Sequence, residues 1–453
     1  MTLKRWQILG ILLLAGIACA LVLLGRGQND LVLPDGSSAQ GRVVITYWEK
    51  WTRHEYDAIR AVVDKFNMGQ REVFVQLLSI SQIQNKTLLA VAGGDPPDLA
   101  GLYADQVPQF YEYGALESLG DLQAEGVLTK DTYKPFAWRI MAPQQVPYAI
   151  VTTPAVIGLF WNKDRFAQAG LDPEIPPHTL EELQTFSDRM TERDAQGNLI
   201  RVGFLPNEPG WYDSMWGAYF GNQLYDAKTG RFGINTPENR AAYTWYQNYA
   251  KHYGAQEVQT FSGGFGQFAT PDNPFFTGKT AMVIQGPWFP TFIARFKPEL
   301  VGHYGVAAFP TSYGKPGDAV LGDADVLVIP HGARHPREAR QFIRFMIQPE
   351  NMEALCRAQG KPSPLSYVSN DFLSNNPNPF VRFFDELGRK PGMHIMAPTA
   401  TAVAVREEMK QASQSMWRGA DVGKTLSQVQ TRVDRLVAEH NLRQAQRKAG
   451  GQP

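Results

Sequence analysis

Cysteine is nearly absent. The 453 residues include two, Cys19 and Cys356. Cys19 falls in an apolar N-terminal run, so the remainder can form no internal disulfide. A surplus of either charge is also missing, with 44 Lys and Arg against 44 Asp and Glu. That balance disfavours a nucleic-acid binder, which carries a basic excess. Metal-ligand clusters are lacking as well. His331 and His335 are spaced for a shared ion, but Pro330, Gly332 and Pro336 break the helix that would align them. No metal and no cofactor are expected. What remains is a chain 43% hydrophobic and 19% charged, the balance of a folded globular protein long enough for two or three domains.

One long apolar run stands out. Lys4 and Arg5 precede twenty uncharged residues, Trp6 to Gly25, and Arg26 follows. This reads as a signal peptide or an N-terminal membrane anchor at residues 1–25, with a polar tether at 26–41. Ala18-Cys19-Ala20 matches a small-x-small cleavage site. Gly16-Ile17-Ala18-Cys19 weakly resembles a lipoprotein box with Gly16 where Leu is usual. Each alternative puts the rest of the chain outside the cytoplasmic membrane.

The next segment reads β-α-β-α-β. Residues 43–48 form a β-branched and aromatic run. Ile59, Val62, Val63 and Phe66 recur at helical spacing. Residues 73–78 alternate, 83–92 are helical, and 99–103 read as a third strand. Gly93 is the expected C-cap, with Pro96 and Pro97 preventing continuation. A parallel sheet with right-handed crossovers follows. Further strands are expected at 156–161, 202–205, 280–285, 304–308 and 325–329. Thr179 to Glu182 reads as a capping box, and residues 336–347 as a helix. From about Asp371 the chain is mostly helical, ending in a polar tail after Ala438. No internal repeat is evident.

Several apparent motifs dissolve on inspection. Gly278-Lys279-Thr280 resembles the end of a phosphate-binding loop, but Asn273 stands where the first glycine belongs, and Pro274 lacks an N–H. Ser262 to Gly266 is glycine-rich but follows no strand. The pairs Glu49 with Glu55, and Asp323 with Asp325, are too common a loop feature to define an acid–base site. No catalytic residues are expected. The informative pattern is aromatic placement. Trp51, Tyr103, Tyr148, Trp211, Tyr212 and Trp288 lie at predicted element ends beside polar residues. Such edges suit a ligand with C–H faces and hydroxyl rims, as sugars have.

Residues 88–119, LLAVAGGDPPDLAGLYADQVPQFYEYGALESL, closely resemble the early part of a carbohydrate-type extracellular solute-binding protein of family 1, the maltose- and glycerol-phosphate-binding kind. So do FWNKDRFAQAGLDPEIPPHTLEELQTFSDRM at 160–190, FFTGKTAMVIQGPWF at 275–289 and HYGVAAFP at 303–310. VLVIPHGARHPREARQFIRFMIQPENMEALCRAQGKPSPL at 326–365 continues the match. The resemblance runs from about Val43 to about Leu436. It implies a two-lobed α/β fold of the type II periplasmic-binding class, with three interlobe crossings and a ligand cleft between the lobes. Lobe one would hold 42–156 and 322–361, lobe two 157–321 and 362–442, and 443–453 would be a tail.

The same resemblance implies a monomeric, extracytoplasmic substrate-binding component of an ATP-driven (ABC) importer. It would bind a mono- or oligosaccharide or sugar derivative by hinge closure and deliver it to a membrane permease. The alternative is a membrane-tethered carbohydrate sensor of the same fold. A surface carbohydrate-active enzyme has no supporting constellation. Carried over residue by residue, the ligand site comprises Glu49, Trp51, Tyr103, Asp105, Glu208, Trp211, Tyr212, Trp288, Asp323 and Ser363. Two departures from the family pattern stand out. Ala400, Thr401 and Ala402 replace an aromatic of maltose-type members, which puts a long stacking ladder in doubt. Residues 270–274 look inserted.

Overall fold

The computed structural model describes residues 36 and 38–449. The expected leader, Cys19 and most of the tether lie outside the described residues. Among the described residues no helix is long and apolar enough to cross a membrane.

The first sheet is built from β1 (Val43–Glu49), β2 (Val73–Ser79), β3 (Leu99–Tyr103) and β4 (Ile150–Val156). After β5 (Gly158–Asn162), β6 (Met282–Gln285) and β7 (Tyr304–Ala307), the chain returns to it as β8 (Val320–Val328) and β9 (Met393–His394). The strand order is β9-β8-β3-β1-β2, with β4 on the other part of β8. Strands β2, β1 and β3 are parallel, as the β-α-β-α-β reading requires, whereas β8 runs antiparallel to both β3 and β4. Helices α1 (Arg53–Gly69) and α5 (Pro336–Met346) cover this sheet. Their apolar stripes meet where Phe342 stacks edge-on to Phe66 at 5.3 Å and lies 5.9 Å from Tyr47. Burying a side chain of this size contributes about 1.5–3 kcal/mol.

The second sheet is antiparallel, in the order β6-β5-β7. Both of its faces are buried. Phe160 and Val283 point into one core, and Leu159, Trp161, Met282 and Ile284 into the other. A sheet covered on both sides reads as continuous apolar runs, which is why these strands were legible without alternation. Two expectations shift here. The run 156–161 is split at Ile157, whose N–H donates to Leu321 O at 3.0 Å as the chain leaves the first sheet for the second. Residues 202–205 form no strand. Val202 makes an isolated bridge to Thr280, and Phe204 N–H turns to Ser187 Oγ instead.

Local signals mostly act as expected. Helix α2 (Ile83–Ala92) ends at the double glycine, but the left-handed residue is Gly94 (φ +73°) rather than Gly93. Gly94 and Asp95 N–H return to Val91 and Ala90 O at 3.1 and 3.0 Å. Asp98 then ties β1 to a distant loop by accepting from Thr46 N and His335 N. At α3 (Leu180–Met190), Thr179 Oγ1 caps Glu182 N, while the Glu182 carboxylate reaches one residue further back, to His178 N. Helix α4 (Pro237–Tyr253) fills the second core with Tyr243, Tyr246 and Tyr249. Helix α6 (Pro349–Ala358) joins the first. The last helices are α7 (Ala402–Trp417) and α8 (Val422–Ala449), so the stretch expected as a tail from 443 continues a helix as far as Ala449, and 450–453 lie outside the described residues.

Candidate functional site

The site starts where β1 ends. Glu49 is buried, its carboxylate folded beneath β3. A Cβ on Gly101 would come within 1.9 Å of it, so this approach requires glycine. Tyr47 Oη donates to Glu49 Oε2 at 2.7 Å, and Lys50 N–H donates to Oε1 at 2.7 Å. Glu49 therefore holds the next residue rather than lining open space. Lys50 Nζ reaches Glu49 Oε1 (3.3 Å), Leu102 O (3.1 Å) and Asp325 Oδ1 (3.1 Å).

Asp325 sits inside β8, opposite Tyr103 on one side and Thr153 on the other. Its second oxygen accepts from Thr153 Oγ1 at 2.7 Å and from Lys361 Nζ at 3.0 Å. Lys361 Nζ also approaches Thr153 Oγ1 (3.2 Å) and Glu55 Oε1 (3.5 Å). Burial alone would raise the Asp325 carboxyl, but Lys361 and Lys50 outweigh it and hold it well below the usual carboxylate range. Burial would lower both lysines, and Asp325 is the main reason each is raised instead.

Aromatic rings surround this pair. Lys50 Nζ lies 4.9 Å from the Trp51 centroid and 4.7 Å from that of Tyr103. Lys361 Nζ lies 5.4 Å from Trp51 and 5.9 Å from Trp288. Trp51 is only 5% exposed. Expected as a cleft lining, it instead backs the two ammonium groups. Tyr103 and Trp211 are 46% and 40% exposed, which leaves ring faces open to a ligand. Half-buried Trp288 lies 6.3 Å from Trp211, and Phe268 meets Trp211 edge-on at 4.8 Å. Gly286 makes room for this, since a Cβ there would sit 2.3 Å from the Trp288 ring. Trp288 Nε1 donates to Gln285 Oε1 at 3.2 Å. Tyr148 does not join the group and packs on Tyr111 at 4.8 Å.

Acidic groups complete the wall. Asp105 is buried and paired through Oδ2 with Arg406 of α7. Its Oδ1 has no protein partner among the described residues. Burial, and next Asp105, push Asp323 upward, which favours its protonated form, able to donate as well as accept. Tyr212 is half-buried and faces the field of Asp323. Ser363 is fully buried. Its Oγ accepts from Leu365 N, and its carbonyl accepts from Lys134 Nζ at 2.6 Å, so it supports the chain behind the cleft. Of the ten expected site residues, Glu49, Trp51 and Ser363 thus lie behind the surface. Lys50, Lys361, Asp325, Thr153, Gln285, Phe268 and Arg406 were missed as site residues. Asp325 was the detectable one, since a carboxylate in an apolar strand demands a buried partner.

Glu208 and Asp213 flank Trp211 and Tyr212 in one turn. Burial, then Asp213, raises Glu208 from 4.5 to about 7, and burial raises Asp213 to about 7. The folded state thus keeps protons that the unfolded chain releases at lower pH, so stability falls as pH rises through this window. Stability is expected to climb on going from about pH 8 to about pH 5, by on the order of 2–3 kcal/mol, read as a higher thermal midpoint, and Glu208→Gln should flatten part of the profile. A wild-type midpoint indifferent to pH over that range would refute the assignment.

The last two helices cross back to the first sheet's side. Beyond the pairing of Arg406 with Asp105, His440 Nε2 lies 2.6 Å from Glu112 Oε2, and Ala400 N–H donates to Glu112 Oε1 at 2.9 Å. Among the described residues no group of three or more His, Cys, Asp or Glu is placed to hold a metal ion.

Comparisons with known proteins bear on the family and the fold. The family model of the bacterial extracellular solute-binding protein matches residues 50–353. The maltotriose-binding protein of Pyrococcus abyssi is 21% identical over 349 residues, covering 76% of this chain and 71% of that protein. The sn-glycerol-3-phosphate-binding periplasmic protein UgpB of Pectobacterium atrosepticum is 23% identical over 419 residues, covering 88% and 86%. Among solved structures, CpMnBP1 with mannobiose bound has a TM-score of 0.76 at 26% identity, covering 86% of this chain and 99% of that one. A Thermotoga lettingae solute-binding protein bound with α-D-tagatose has a TM-score of 0.72 at 21% identity, covering 87% and 100%, a likeness of fold. These relatives are solute-binding proteins rather than enzymes. With its two-lobed α/β fold and a family match across residues 50–353, this chain belongs to the bacterial extracellular solute-binding proteins.

Proposed function

We propose that this chain captures a mono- or oligosaccharide, or a sugar derivative, outside the cytoplasmic membrane and delivers it to the permease of an ABC importer. The observation that carries the reading is the set of open rings, Tyr103, Trp211 and Trp288, set beside buried carboxyls with unmet hydrogen-bonding capacity at Asp105 and Asp213. Rings stack on C–H faces while fixed acceptors take hydroxyl protons. Mannobiose and maltotriose bind to relatives of this chain by name, which supports the class.

In this reading the lobes divide at 42–156 with 322–361 and at 157–321 with 362–442. The protein works as a monomer held at or released from the membrane through residues 1–25. Contacts such as Asp105 with Arg406 join the lobes, and a ligand touching both biases the hinge toward closure. Thermal-shift and calorimetric screening of the full-length chain against mannobiose, maltotriose, tagatose and other sugars tests the proposal. At least one should stabilise the protein, and saturation at about 100 times its Kd should add about 2.7 kcal/mol. A panel in which no carbohydrate or polyol binds would remove the carbohydrate class.

A further inference from the structure

We infer that the cleft selects uncharged glycans and rejects phosphorylated or carboxylated ones, because its two buried lysines are already ion-paired with carboxylates of the protein itself. The inference rests on the carbohydrate-capture reading above and narrows it. The relatives do not decide the matter, since one is named for an uncharged trisaccharide and another for a phosphorylated polyol.

An ammonium group has three N–H donors. Those of Lys50 meet Glu49 Oε1, Leu102 O and Asp325 Oδ1. Lys361 donates to Thr153 Oγ1 and Asp325 Oδ2, and Glu55 Oε1 lies 3.5 Å away as a looser ion-pair partner. Each ammonium charge is thus already offset by two carboxylates of the protein, Glu49 and Asp325 for Lys50, and Asp325 and Glu55 for Lys361. An incoming anion would have to displace Asp325 or Glu55 from a charge pair already made in a buried setting. Neither lysine side chain is more than 6% exposed, so swinging outward to meet a ligand would also uncover the Asp325 carboxylate.

The remaining charges point the same way. The other cations also face carboxyls: Arg406 pairs with Asp105, which Asp323 stands close enough to feel directly, and Lys410 lies within the field of Asp213. Glu208 and Asp213 add two more carboxyls beside the Trp211 ring. Burial already disfavours their ionised forms, so a further negative charge nearby is disfavoured for the same reason. A neutral hydroxyl meets no such penalty. Asp323, whose protonated form burial favours, can donate to it, and Asp105 Oδ1 can accept from it.

The test pairs neutral and anionic probes on the full-length chain. Calorimetry with mannobiose, maltotriose and glucose should find at least one ligand. sn-Glycerol 3-phosphate and glucose 6-phosphate should bind at least about 100-fold more weakly than it. Glu55→Gln and Asp325→Asn each remove a negative charge that offsets an ammonium group, so each should strengthen sn-glycerol 3-phosphate binding about tenfold or more. Glu55 is the peripheral partner, and its variant keeps the Asp325 pairs, which guards against loss of folding. Phosphate-ester binding comparable to the best neutral sugar would overturn the inference while leaving solute capture intact. Failure of Glu55→Gln to strengthen phosphate binding would also overturn it. Absence of binding by every probe would instead overturn the carbohydrate reading, and the inference with it.

Discussion

Asp325→Ala should destabilise the protein by about 3–5 kcal/mol, read as a lower urea midpoint at neutral pH. One carboxylate neutralises two ammonium groups whose side chains are 6% and 4% exposed. Removing it leaves Lys50 with Glu49 alone at 3.3 Å and Lys361 with Glu55 alone at 3.5 Å, two buried ammonium groups with their shared partner gone, and Thr153 Oγ1 loses its acceptor as well. The loss should be largely recovered by adding Lys50→Met and Lys361→Met, which replace the underpaired charges with apolar groups of similar length. The pH dependence has a defined sign. The Asp325 carboxyl is held below its ordinary range, so its contribution is present above the unfolded value near 4 and is lost as pH falls below it. The gap between wild type and variant should therefore persist through neutral and mildly acidic buffer and close only in stronger acid. Equal urea midpoints for wild type and Asp325→Ala at neutral pH would show that the lysines find other partners, and the account of the cleft floor would fail.

The Asp325 cluster also marks the limit of what sequence could show. Strands β1 to β3 and the helices between them were legible because their apolar residues recur with period two or 3.6 close together in the chain. Thr179 and the Gly93-Gly94 pair were legible because caps are local. Residues 202–205 misled because an apolar composition satisfies a loop as well as a strand when its polar backbone finds partners elsewhere, here Ser187 and Lys279. The exposed rings Tyr103 and Trp211 could be placed, since element ends open on the cleft. Glu49 and Trp51 came next to an element end too, yet they turn inward, and only the close approach to Gly101 and the two ammonium groups explains why. Lys50 and Lys361 meet at a residue 275 and 36 positions away, a pairing that no local pattern encodes.

Trp288→Ala should weaken binding of the best sugar by about 5- to 150-fold, the equivalent of about 1–3 kcal/mol. The ring stands at the junction of three features, 6.3 Å from Trp211, 5.9 Å from Lys361 Nζ and bonded to Gln285 Oε1. Truncation removes a stacking face. It also frees Gln285, a 1% exposed amide whose Nε2 has no protein partner among the described residues, so the side chain loses its one fixed contact. Trp288→Phe separates the two effects. It keeps an aromatic face but not the indole N–H, so its loss should fall between wild type and alanine. Fluorescence should report the same residue, because sugar stacking changes the surroundings of an indole that is only half-buried in the free protein. Unchanged affinity in Trp288→Ala, measured calorimetrically on protein that still unfolds cooperatively, would move the ligand away from this wall. Tyr103 and Trp211 would then have to form the platform without it, across rings that no described contact brings together.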